Sequence, residues 1–131
     1  MSAFTGTLVI EEIKPGRLWR LCEPIRYEAG AKGSGRWIVI DKGFVTDGAT
    51  IPAFVRLFLA VWGTYGRAAC LHDYGYSLLR AGFPHPNMPS RKACDDEFHR
   101  AMIACGTRPL LALLMWAAVR LCGWMYFRRT T

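Results

Sequence analysis

The chain contains no Cys-x-x-Cys pair, no run of Lys or Arg longer than two residues, and no uninterrupted apolar stretch of the roughly 20 residues that a membrane span needs. Each absence removes a class of protein. The cysteines, Cys22, Cys70, Cys94, Cys105 and Cys122, are odd in number, and without paired spacings they build neither a complete disulfide framework nor a zinc cage. Reduced and mostly buried thiols are the expectation. Without long basic runs, and with aromatics not interleaved among cations, the sequence lacks the stacking groove of a nucleic-acid binder. The first six residues carry no basic segment and lead into no long apolar core, so no secretory signal is expected and synthesis in a cytoplasm is.

What is present is apolar and basic. With 131 residues, 52% of them hydrophobic, residues 1–131 are expected to form one domain around one core. Seventeen Lys and Arg against ten Asp and Glu leave a formal charge of +7, which favours an anionic partner such as a phospholipid surface.

The character of the chain changes near residue 46. Residues 1–45 read as a β-rich platform: β-branched 6–13, a Lys14-Pro15-Gly16 turn, a return strand over 17–22, and an edge strand over 25–28 after Pro24. A flexible Gly-rich turn over 30–35 leads into the clearest strand, 36–41. A small antiparallel sheet of three or four strands follows from this, with no chemistry on it. Residues 46–131 form the helical part, so the fold class is α+β. The spacing predicts helices over 67–80, 91–105 and 109–122, the last continuing toward Phe127. Gly82 and Gly106 close the first two, Ser90 caps the second, and three prolines break 83–89. The apolar 52–62 stretch is a short helix or a lid.

The first of these helices carries the densest chemistry. Ala69, His72, Asp73 and Tyr76 fall on one face, since residues three and four apart are neighbours on a helix. Upstream, Asp47-Gly48 is a tight turn or, with its carbonyls, half of a cation loop. On the second helix Asp95 shares a stripe with Phe98 and Met102, and a carboxylate on an apolar stripe needs a partner. His72 is the first candidate; the alternative is a solvated face on which Asp95 and Asp96 pair with Arg91 or Arg100. His99, four residues on, either reaches the same centre or lies in solvent, and His85, between prolines, is expected at the surface. The last helix is apolar almost all round over 110–119, then interrupted by Arg120. It is read as a core helix, an interfacial segment or, less well by length, a span; Trp116, Trp124, Tyr126 and Phe127 beside Arg128 and Arg129 suit a headgroup-level anchor.

These residues carry two resemblances. Asp47-Gly48, Cys-x-His-Asp-x-Gly-Tyr from Cys70 to Tyr76, Asp-x-x-Phe from Asp95 to Phe98 and Ala-Val-Arg-x-x-Gly from Ala118 to Gly123 occur in the order found in bacterial secreted phospholipase A2. The whole chain, through FVTDGATIP and LHDYGY, more closely resembles a family of small phage-encoded proteins, which implies a bacteriophage or prophage origin. The phospholipase resemblance covers 46–123 and implies a three-helix catalytic part. It implies that His72 is the general base, oriented by Asp95, with Tyr76 bonded to that carboxylate, and that Asp47, Gly48 and Asp73 hold Ca2+ for ester hydrolysis at a phospholipid membrane. The sequence departs from those exported, disulfide-linked enzymes: Ala49 stands where their cation loop is followed by cysteine, and Cys70 precedes His72 by two residues rather than three. Two other functions stay open. One is a non-catalytic virion or assembly protein, tail-associated or acting at the host envelope among other virion proteins. The other is a cell-wall hydrolase with Zn2+ on His72, Asp47 and Asp95 or His99.

Overall fold

The structure, a computed structural model, describes residues 4–5, 8–14, 18–46 and 66–122. The readings placed on Asp47-Gly48, on the apolar 52–62 stretch and on the continuation of the last helix past 122 lie outside those residues. Within them the chain runs β1 (Phe4–Thr5), β2 (Ile10–Lys14), β3 (Leu18–Leu21), β4 (Ile25–Glu28), β5 (Trp37–Ile40), β6 (Val45–Thr46), α1 (Gly66–Ala81), α2 (Arg91–Ala104) and α3 (Pro109–Cys122). The class is α+β with the strands at the N-terminal end.

The strands form two antiparallel sheets of three rather than one. In the first, β4 lies between β1 and β5, with Tyr27 opposite both Phe4 and Ile38 and with Ile25 opposite Ile40. The expectation of an edge position for residues 25–28 is therefore corrected. Pro24 lies just before the strand, so its missing N–H costs the ladder nothing and every residue of β4 keeps its donor. On β5 Ile38 and Ile40 are buried while Trp37 and Val39 face outward, the period of two that a half-buried strand requires. In the second sheet β3 lies between β2 and β6, with Trp19 opposite Thr46. Thr46, read as the start of the helical part, thus closes a strand with Val45, and Lys14 extends β2 into the expected turn.

The helices begin and end where their local chemistry says. Ser90 accepts the Ala93 N–H at 3.1 Å and starts α2. Gly82 and Gly106 take φ of +83° and +91° just past α1 and α2, the left-handed step that favours glycine. The proline-rich connection between those helices holds one isolated bridge, His85 to Met88, and His85 is half-buried, with Nδ1 accepting the Asn87 N–H.

One apolar cluster unites the layers: Leu21, Ile25, Tyr27, Ile38 and Ile40 from the sheets with Leu71 and Tyr76 of α1, Phe98 and Met102 of α2, and Met115 and Val119 of α3. Gly75 sets the approach of α1 to α2, because a Cβ there would stand 2.7 Å from Cys94 Sγ and 3.0 Å from Met88 Sδ. A polar clamp joins sheet to helix. Buried Glu97 of α2 accepts the Tyr27 hydroxyl at 2.8 Å and the Gly30 N–H at 3.0 Å, and Arg100 donates to it at 2.6 Å. No helix among the described residues is long and apolar enough to cross a membrane.

Candidate functional site

The centre is assembled from three helices around one carboxylate. Asp95 is wholly buried on the inner stripe of α2, together with Phe98 and Met102. Its Oδ1 lies 2.7 Å from His72 Nε2 and accepts the Tyr76 hydroxyl at 2.6 Å, both from α1. Its Oδ2 accepts from Arg120 Nη1 of α3 at 3.0 Å and stands 3.6 Å from Arg91 Nη1, one turn back on α2. The solvated-face alternative is therefore corrected for Asp95, which has no exposed surface, although its Oδ2 does stand within ion-pair distance of Arg91. A buried carboxylate left unpaired would cost several kcal/mol, and four donors around two oxygens remove that cost.

The imidazole is held as tightly as its partner. His72 has no exposed surface, and its ring lies 4.1 Å from the Tyr76 ring and 4.8 Å from the Phe98 ring, centroid to centroid. As a carboxylate Asp95 can only accept, so Nε2 carries the proton of the neutral ring and Nδ1 carries the lone pair. Any base chemistry of His72 then falls to Nδ1. Burial and the neighbouring Asp95 push the Tyr76 phenol well above its ordinary value, so it stays a donor across the physiological range.

Asp73 follows His72 in α1 and points to a different neighbour. It is buried, and its Oδ2 accepts the Thr46 hydroxyl at the end of β6. Thr46 is the residue before Asp47 in the chain. Thr46 closes β6, so the second sheet reaches the helix that carries His72. Cys70, on the turn before, has its thiol pushed up to about 12 by burial and by Asp73, which makes it an inert apolar neighbour at neutral pH.

His99 does not join this centre. It lines a groove of about 250 Å³ between α2 and α3 with Asp96, Arg100, Leu113 and Trp116. There Trp116 Nε1 donates to Asp96 Oδ1 at 2.8 Å and Lys92 pairs with its Oδ2 at 2.7 Å. Burial pulls the Asp96 carboxyl upward, but those two bonds outweigh it and hold the group below the usual range. Among the described residues, no three His, Cys, Asp or Glu side chains stand together as a metal site. Arg120 is the member of the centre that sequence reasoning passed over. Its signal was there: a single charge interrupting an apolar helix has to find a buried partner.

No curated protein and no solved structure matches the chain. The chain belongs to a family described as proteins of unknown function (DUF1353), whose profile matches residues 19–119. That span takes in β3 through most of α3, and with them His72, Asp73, Tyr76 and Asp95.

Proposed function

We propose that this member of the DUF1353 family is a calcium-dependent ester hydrolase of the phospholipase A2 type, encoded by a bacteriophage or prophage and acting on membrane phospholipid. The observation that carries the reading is the sharing of Asp95 Oδ1 between His72 Nε2 and the Tyr76 hydroxyl, one residue away from a second buried carboxylate. In this reading His72 Nδ1 takes a proton from the water that attacks the ester carbonyl, and Asp95 keeps the ring in the tautomer and orientation that leave Nδ1 basic. Tyr76 fixes the rotamer of Asp95, while Arg120 and Arg91 fix its other oxygen.

The donor set suits a hard cation. Asp73 offers carboxylate oxygen, the Thr46 hydroxyl ties the strand that runs into Asp47-Gly48 to that carboxylate, and calcium prefers several oxygen ligands. Asp73, Asp47 and the Gly48 carbonyl would hold the ion, which would polarise the ester carbonyl and take up oxyanion charge. Calorimetry at neutral pH tests the site. Saturable calcium binding by the wild type, lost in Asp73→Asn, is expected; a folded protein that binds no calcium removes the reading.

The complete burial of His72 supports a second reading, in which the Asp95 network is a structural lock and the protein serves in a phage virion or its assembly. His72→Gln separates the two. Under the first reading it abolishes turnover with little loss of stability. Under the second the wild type shows no turnover, and the variant only loses stability.

A further inference from the structure

We propose that the outward face of α3 docks the protein on an anionic lipid surface. The face is continuous: residues 110, 113, 114, 117 and 121 fall within about 100° of arc on a helix of 3.6 residues per turn. Leu110, Leu113, Leu114 and Leu121 along it are 69%, 50%, 60% and 73% exposed. On the opposite side Ala112, Met115 and Val119 are buried in the core. A helix apolar all round is ordinarily covered on every side. Among the described residues this one packs on one side only, and no helix there is long and apolar enough to span a bilayer. Four leucines left in water on one stripe mark a surface that something covers.

Charge selects the occupant. From His99 to Thr131 the sequence carries five arginines and not one Asp or Glu; Arg100 and Arg120 pair with Glu97 and Asp95, and the segment still keeps a positive balance. Arg108, directly before α3, and Arg100, across on α2, are both exposed. A second copy is disfavoured, because a two-fold contact would bring two surfaces of the same positive balance together, and Asp96, the carboxylate beside Leu113, already pairs with Lys92. Nucleic acid is disfavoured too, because the outward side chains are aliphatic and offer no stacking plane. An aliphatic stripe within a basic segment is what an anionic headgroup layer takes up: leucines enter the acyl boundary, and arginines remain with the phosphates.

The proposal is independent of hydrolysis, and the test keeps the two apart. Full-length protein is co-sedimented with vesicles of phosphatidylglycerol or of phosphatidylcholine alone, in EDTA. Binding to phosphatidylglycerol vesicles is expected, weaker at high salt and weaker on phosphatidylcholine. Leu110→Glu and Leu114→Glu are expected to lower it by about tenfold or more. Both positions lie outside the core, so an unchanged circular dichroism spectrum and melting temperature show that the fold is kept. Failure to bind phosphatidylglycerol vesicles, or equal binding by the variants, overturns the proposal. So does a vesicle-free dimer that Leu114→Glu dissociates, or binding to a DNA oligonucleotide that the same variants abolish.

Discussion

Arg120 on α3 donates at 3.0 Å to the one Asp95 oxygen that neither His72 nor Tyr76 uses. This division of a single carboxylate locks all three helices through one buried atom pair. It also means that the donors are not equivalent: Arg120 keeps some exposure, whereas His72 has none.

The inequality sets the order of two losses. Asp95→Ala strands a buried imidazole and leaves two half-buried guanidiniums without their carboxylate, and it is expected to cost about 3 kcal/mol or more. Arg120→Met, which leaves Asp95 with His72, Tyr76 and Arg91 and keeps the aliphatic stem, is expected to cost about 1 kcal/mol. Urea unfolding of both variants checks the ranking, and equal losses would show that Asp95 is not the hub.

The Glu97 clamp predicts coupling between sheet and helix. Tyr27→Phe removes one of several donors to Glu97 and is expected to cost about 1 kcal/mol; Glu97→Ala leaves Tyr27 and the Gly30 N–H without their acceptor and is expected to cost about 2–3 kcal/mol. In the double variant the losses fall short of their sum by about 1 kcal/mol, the signature of a direct contact in a double-mutant cycle.

At Gly75 two rules oppose each other. Alanine is the better helix former by about 1 kcal/mol, yet its Cβ would meet Cys94 Sγ at 2.7 Å. Packing is expected to win, so Gly75→Ala lowers stability by about 1–2 kcal/mol. Adding Cys94→Ala to it relieves the clash and recovers part of the loss, as thermal melts of both proteins would reveal.

The thiols give a pH dependence with a definite sign. Burial pushes Cys70 and Cys94 from an ordinary 9.0 up to about 12, with Asp73 and Asp95 respectively adding to it. Above pH 9 the unfolded chain releases these protons while the folded protein keeps them, so the unfolded state binds fewer and stability falls as pH rises from about 9 toward 12. Below pH 9 the two thiols contribute no slope. Replacing both by Ala is expected to flatten the alkaline limb of a stability–pH curve. With a thiol reagent at pH 8 the exposed Cys22 reacts fast, and Cys70 and Cys94 react only on unfolding.

The helices were legible because each carries its own punctuation. Ser90, Gly82 and Gly106 act within a few residues of themselves, so α1 and α2 could be bounded to within a residue or so from the sequence. The burial of Asp95 was one of the two readings that the sequence left open, and the stripe shared with Phe98 and Met102 is the one the structure takes. The division into two sheets was not legible, since it depends on which strands meet across 20 or more residues, as when Thr46 pairs with Trp19. β1, two residues long, has no periodicity to read. Arg120 was visible as an anomaly in its helix, but its partner lies 25 residues away on another. The His72–Asp95 contact itself could be inferred, because both residues were the unexplained polar groups on facing apolar stripes.

The measurement that bears most directly on the central claim is hydrolysis of phosphatidylglycerol vesicles by purified wild type and His72→Gln, with calcium present and after chelation. Fatty-acid release by the wild type with calcium, none after chelation, and a loss of about a hundredfold or more in His72→Gln at unchanged melting temperature are expected. No release by folded wild type, or equal release by His72→Gln, would contradict the claim.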